Sequence, residues 1–311
     1  MDNVKVSLVQ ESPIFFDKKA SLDKAIRIIE ECGEDGSQII VFPESFIPGY
    51  PRGFNFGAVV GSRSPEGRGQ YQDFYNASID QQGKEVEALI SVAKKIGAYV
   101  IMGVTEKVAH HGSLYCTMLY ISPYNGLICC HRKLKPTGTE RIVWAESDGS
   151  TLNTVRTPYG IMGGLICWEN YMPLARMALY QKGVQIYIAP TADSRSTWTK
   201  TMQHIAMEGR CFVLACNQYF TKDMMPEQYK NLVKDEPEEM CRGGSIIISP
   251  DGSILSGPLY GSSGILTATL DLDKIIQSRL DFDPAGHYNR DDVFQFKCNG
   301  QPETIDDRPA E

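Results

Sequence analysis

Gly164-Leu165-Ile166-Cys167 is an apolar run that ends on a thiol. Ile39-Ile40-Val41-Phe42-Pro43-Glu44 has the same grammar and ends on a carboxylate. Ile128-Cys129-Cys130-His131-Arg132-Lys133 ends on an ammonium group. Short apolar runs bounded by breakers read as buried strands. In α/β sheets, ligands bind at the carboxyl ends of strands, where loops diverge and open a crevice. A glutamate, a lysine and a cysteine at three such ends are placed to converge on one site.

The surrounding chain agrees. Val4–Gln10 reads as a buried strand. Leu22, Ala25, Ile26, Ile28 and Ile29 give residues 21–31 a helical stripe, ended by Gly33 and Gly36. Residues 48–83, rich in Gly, Pro, Arg and Ser, read as a long decorated loop. A helix over 84–95 and a strand over 99–105 follow. Strands over 114–122 and 127–132 are joined by Pro123-Tyr124-Asn125-Gly126, whose Asn-Gly is a strong hairpin signal. The second half repeats these ingredients, with helices expected at 173–181, 197–208 and 272–280. Helices alternating with strands and interspersed hairpins define an α/β fold with a mixed sheet or two sheets. No Gly-, Ser- or Pro-rich linker divides the chain, so residues 1–300 are expected to form one domain. Residues 301–311 are acidic and proline-containing, and are expected to fray.

Composition narrows the function. The chain has 311 residues with 31 Lys and Arg against 38 Asp and Glu, a formal net charge of −7. An acidic chain without a basic run is a poor nucleic-acid binder and has no pull toward anionic membranes. No apolar stretch approaches the roughly 18 residues of a transmembrane helix. The N-terminus goes straight into a strand-like segment, without the basic and apolar regions of a signal peptide. Nine cysteines, an odd number, favour free thiols and a cytoplasmic, reducing setting.

Cys167 is the candidate nucleophile. A free thiol has a pKa near 8.5, so it needs a base or a neighbouring cation. A helix expected from Pro173 would bring a positive dipole end near it. The N–H of Trp168 is placed to hold developing negative charge. Glu44 is the candidate general base, and Lys133 the group that stabilises an anionic intermediate. Each has a plainer reading taken alone: a buried core thiol, a solvated loop carboxylate, a surface lysine in a charged run. Rival chemistries are weaker. Neither His204 nor His110-His111 has a strand-end setting. Cys129-Cys130-His131 is contiguous and no C-x2-C pair exists, so a zinc site is not expected. Phosphate-loop and dinucleotide fingerprints are absent. The residues alone point to a cysteine hydrolase that needs no metal or cofactor.

From Val4 to about Phe296 the sequence resembles the nitrilase, or carbon–nitrogen hydrolase, superfamily. The resemblance rests on Val41-Phe42-Pro43-Glu44-Ser45-Phe46, His131-Arg132-Lys133-Leu134-Lys135-Pro136-Thr137 and Gly163-Gly164-Leu165-Ile166-Cys167-Trp168-Glu169-Asn170. It implies a Glu44–Lys133–Cys167 triad on a four-layer α-β-β-α sandwich that pairs into an αββα-αββα dimer. It also implies that Glu140, seven residues after Lys133, orients the lysine and the substrate. Tyr171-Met172-Pro173-Leu174-Ala175-Arg176, Pro190-Thr191-Ala192-Asp193-Ser194-Arg195, His204-Ile205-Ala206-Met207-Glu208-Gly209 and Gly286-His287-Tyr288-Asn289-Arg290 are similar to the true nitrilases of plant and bacterial type. Many members continue further, with a tail involved in helical filaments. This chain stops at Glu311, so long filaments are not expected, while the homodimer or higher homo-oligomer that the resemblance implies is.

The implied activity is hydrolysis of a small organic nitrile to its carboxylic acid and ammonia, through a cysteine thioimidate and an acyl-thioester. An amidase or carbamoyl hydrolase using the same triad is the alternative, and a non-catalytic scaffold is a third class, disfavoured because all three reactive residues are present. Residues 48–63 and 191–198 follow strand ends and are expected to line the pocket, with Tyr50, Trp168 and Trp198 as aromatic walls. Aromatic, arylaliphatic and medium aliphatic nitriles all suit such walls.

Overall fold

Alternation within the strands sets the layers. In the computed structural model, which describes residues 3–309, the chain runs β1 (Val4–Gln10), α1 (Lys18–Glu34), β2 (Ile39–Val41), the small hairpin β3 (Ala58–Val59) and β4 (Ser62–Arg63), α2 (Pro65–Ala77), α3 (Lys84–Ile96), β5 (Tyr99–Lys107), β6 (Leu114–Ser122) and β7 (Gly126–Arg132). It continues through β8 (Thr154–Thr157), β9 (Gly160–Gly164), α4 (Pro173–Gln181), β10 (Ile186–Thr191), α5 (Ser196–Gly209), β11 (Phe212–Asn217), β12 (Tyr219–Thr221), β13 (Glu239–Ile248), β14 (Ile254–Tyr260), β15 (Gly264–Leu270), α6 (Asp273–Arg279) and β16 (Thr304–Asp306). One sheet has the order β15-β1-β2-β5-β6-β7. The other has the order β12-β13-β11-β10-β9-β8-β16, with β14 on β13.

Successive strand residues point to opposite faces. Val6, Leu8, Ile39, Val41 and Ile101 therefore meet Val155, Met162, Ile186, Ile188 and Leu214 of the second sheet in a shared central core. The intervening Val9, Ile40, Phe42, Val100 and Met102 turn outward, onto Leu22, Ala25, Ile29, Val86 and Leu89 of α1 and α3. Tyr187, Ala189, Val213 and Ala215 turn outward from the other sheet, onto Ala178 and Leu179 of α4 and Met202 and Ile205 of α5. The result is an α-β-β-α sandwich, as the resemblance implied.

Two expectations are corrected. Residues 48–83 are not all loop, because α2 forms within them. Its start is well marked: the Ser64 side chain accepts from Gly67 N, and Pro65 occupies the first turn, where a missing N–H costs nothing. The tail is not frayed where it is described. β16 pairs in parallel with β8, and the buried Asp307 accepts from Tyr99 Oη (2.8 Å), Ser122 Oγ (2.5 Å) and Asn125 Nδ2 (2.7 Å). Asp307 thus ties the edge of one sheet to β5 and β6 of the other. Its neighbours' acidity concealed a carboxylate that is buried and fully hydrogen-bonded.

Candidate active site

Glu44 lies just beyond β2, on a segment pinned to β5. Phe42 N donates to Ile101 O and Phe46 N to Gly103 O, each at 2.8 Å. The approach is so close that a Cβ on Gly103 would sit 2.0 Å from Pro43 O, so only glycine fits there. Lys133 follows β7, and its N–H continues the ladder to Cys116 O at 2.8 Å. Cys167 follows β9 on a tight turn with φ of +52°, a left-handed conformation that costs a non-glycine residue of order 1–3 kcal/mol. Gly164 permits that turn to pass β10, since a Cβ there would lie 1.9 Å from Ile188 O. A short 3-10 turn, Cys167–Tyr171, follows directly, and α4 begins only at Pro173.

The carboxyl end of β10 gathers two of these groups. Thr191 Oγ1 donates to Cys167 Sγ at 3.1 Å, and the adjacent Ala192 N donates to Glu44 Oε2 at 3.0 Å. Lys133 Nζ donates to Glu44 Oε1 and to Glu140 Oε2, both at 2.7 Å. Glu140 sits in a capping turn, where its carboxylate also accepts from Thr137 N (2.6 Å) and Tyr50 Oη (2.7 Å). Glu44 and Lys133 are fully buried, and a buried pair of this kind persists only when each charge is well matched.

Electrostatics assign the resting protonation states. Burial opposes the charge on Lys133, but Glu44 foremost, then Cys167, Cys116 and Glu140, hold its pKa well above the ordinary ammonium value. Burial pushes the Glu44 carboxyl up, Glu140 adds to the rise, and Lys133 and the Cys116 thiol pull it back. Burial raises the Cys167 thiol, with the Glu44 and Glu140 charges acting in the same sense, and Lys133 only partly offsets them. Lys133 does favour the thiolate, as a neighbouring cation should, but burial and the two carboxylates outweigh it. Cys167 is thereby held toward the thiol form, so a nucleophilic role would need a neighbouring group to take its proton. A buried carboxylate with a raised pKa is suited to take it.

A cavity of about 230 Å³ opens on this floor, lined in part by Tyr50, Glu140, Cys167, Trp168 and Asp193. Trp168 is 40% exposed and donates its Nε1–H to Asp193 Oδ2 at 2.9 Å, with the Arg195 guanidinium 4.5 Å from its ring. Trp198 is not in the cavity wall. It is 1% exposed, in the core between α5 and the second sheet, because its position on α5 points it inward. The sequence reading also missed Arg52, which lines the same cavity, and Thr191. A cation two residues beyond Tyr50 in the expected pocket loop was the available signal for Arg52.

A second layer fixes the two reactive loops. The buried Glu169 accepts from Ile166 N (2.7 Å), Leu134 N (2.5 Å) and His131 Nε2 (3.0 Å), so it joins the cysteine turn to the lysine segment. Asn170 Nδ2 donates to Cys167 O at 2.7 Å and is itself held by Tyr187 and Arg176. No group of three or more His, Cys, Asp or Glu among the described residues is arranged to hold a metal ion.

This fold and site define a class: the chain belongs to the carbon–nitrogen hydrolase family, whose profile matches residues 5–280. Among its relatives, an aliphatic nitrilase of Sinorhizobium fredii is 48% identical over 305 residues, covering 98% of each chain. A bifunctional nitrilase/nitrile hydratase of Lupinus angustifolius is 45% identical, covering 96% of this chain and 87% of that protein. In fold, the chain is similar to the crystal structure of Saccharomyces cerevisiae Nit3, a member of branch 10 of the nitrilase superfamily, with a TM-score of 0.71 and 23% identity over 93% of this chain and 97% of the other.

Proposed function

We propose that this chain is a nitrilase that converts a small aliphatic nitrile to its carboxylic acid and ammonia. The observation that carries the reaction class is the Thr191-Ala192 dipeptide, which holds Cys167 with one residue and Glu44 with the next. The relatives named as nitrilases support a nitrile over an amide as substrate. A cavity of about 230 Å³ suits a short nitrile better than a large aryl one.

Glu44 takes the proton of Cys167 as sulfur bonds to the nitrile carbon. The nitrile nitrogen receives that proton, giving a thioimidate. Lys133 spends two of its three protons on Glu44 and Glu140. The third, with the Trp168 backbone N–H, steadies the charge that develops on nitrogen and then on oxygen. Glu44 next deprotonates a water that adds to the same carbon. Expulsion of ammonia leaves an acyl-thioester, which a second water hydrolyses to the acid and the free thiol. If the tetrahedral species expels sulfur instead, the product is the amide. Glu140 positions Lys133, while Tyr50 and Trp168 form the aromatic sides of the substrate space.

We also propose that residues 1–300 act as one domain and that two chains pair. A groove of about 570 Å³ lies between α4 and residues 282–296, with Leu174 72% and Phe294 71% exposed on it. A contiguous apolar face of this kind marks an association site, and a second copy is the simplest occupant. No helix among the described residues is long and apolar enough to cross a membrane. Nine free cysteines support a cytoplasmic setting.

The test is a panel of nitriles and matching amides, with ammonia, amide and acid measured together and Cys167→Ala as control. Acid and ammonia from nitriles, lost in the control, are the expected result. Turnover of amides without nitriles would move the protein to the amidases.

A further inference from the structure

The charged groups lining the first cavity, Arg52, Arg195, Glu140 and Asp193, are equal in number but not equally paired. Asp193 is fully used: Arg195 reaches it through Nη2 at 2.5 Å and Nε at 2.9 Å, and Trp168 through its indole N–H. Glu140 is likewise used by Lys133, Tyr50 and Thr137. Arg52 is different. Its guanidinium lies 5.6 Å from the Tyr50 ring and donates from Nη2 to Ala192 O at 2.6 Å, a neutral acceptor. Its Nε–H is buried without an acceptor. No carboxylate pairs with Arg52 among the described residues. Arg52 also lines a second cavity of about 260 Å³, which shares Tyr50 and Glu140 with the first. The cation therefore lines both cavities, braced on Ala192 O, whose own N–H holds Glu44.

We infer that Arg52 is a specificity residue that receives a carboxylate of the substrate, so that the preferred substrates are short aliphatic nitriles bearing an anionic group a few atoms from the nitrile carbon. This rests on the nitrilase reading and deepens it. Arginine presents planar, forked donors that match a carboxylate, and an unmatched guanidinium in a partly enclosed site gains most from an anionic ligand. A carboxylate held by Arg52 takes no part in the bonds made and broken at the nitrile carbon, so the contact acts on binding and orientation. Glu236, on the wall of the second cavity, is the carboxylate lining these spaces that makes no ion pair with Lys or Arg among the described residues, and the test has to separate it from substrate.

The experiment compares 3-cyanopropanoate with 4-methylpentanenitrile, which has the same shape and no charge. The wild-type protein is expected to favour the anion in kcat/KM. Arg52→Gln should reduce that preference by about tenfold or more, mainly through KM, with Arg52→Lys in between. Glu236→Gln should leave the preference standing or increase it. Calorimetry of 3-cyanopropanoate with the Cys167→Ala protein, with and without Arg52→Gln, reads the same contact without turnover. Equal losses on both nitriles, or anion binding indifferent to Arg52→Gln, would overturn the inference and reduce Arg52 to a brace for Ala192. A preference lost in Glu236→Gln would overturn it too. If wild type hydrolyses no nitrile of the panel above, the nitrilase reading fails, while calorimetry still decides whether Arg52 binds the anion.

Discussion

Two thiols flank the same buried charges, and only one of them, the proposed nucleophile, lines the cavity. Cys116 Sγ donates to Glu44 Oε1 at 3.4 Å from within β6, where its backbone pairs with Thr105. Cys167 sits on the strained turn after β9 and forms part of the cavity wall. Burial, reinforced by Glu44, raises the pKa of both. Proximity to a base and an ammonium group therefore does not distinguish a nucleophile. Backbone does: a regular strand holds Cys116 in the layer between the sheets, whereas the positive φ at Cys167 sets that residue on the cavity wall.

The largest effect should come from Cys167→Ala, which is expected to lower ammonia release from the best nitrile by roughly 10⁴-fold or more. Comparable loss in Cys116→Ala, with activity kept in Cys167→Ala, would invert the comparison. Glu44→Gln should cost about 10²- to 10⁴-fold in kcat, the usual range for a positioned base. Circular dichroism should show it folded, because Lys133 keeps its bond to Glu140.

Cys116→Ala should have the smallest effect, about tenfold or less in kcat, and it sharpens the contrast through pH. Glu44 accepts the proton only when ionised, and its pKa is raised. Activity should rise with pH along an acid limb placed above the ordinary carboxylate range. The Cys116 hydrogen bond favours ionised Glu44. Its loss should move that limb to higher pH in a kcat profile. A limb that stays in place would mean that Cys116 is only packing.

The floor of the site was legible in the sequence because its three anchors stand at the ends of apolar runs. The runs ending at Glu44 and Cys167 are buried throughout and the one ending at Lys133, on the edge strand β7, is half-buried, so hydrophobic pattern and candidate residue coincide. Glu140 required the family resemblance, since nothing in its own neighbours marks a carboxylate that accepts three hydrogen bonds. α2 escaped notice because Gly67 and Gly69 depress its helix propensity, and only Gly67, Phe74 and Ala77 are buried along it. Trp198 was misplaced because an aromatic residue near a strand end reads the same whether it faces a ligand or the core. Arg52 was passed over because a charge in a loop looks solvated until its neighbours are known to be spoken for.

β16 has a further consequence. A sheet that ends on open backbone groups is a template on which another molecule can add a strand. β16 covers the flank of β8 with only three residues, followed at once by the Asp306–Arg308 ion pair. The opposite end of the same sheet is also a three-residue strand, β12. Chains cut before Thr304 would bare the flank of β8 and, with it, an invitation to stick together. The acidic tail is thus a stopper against aggregation.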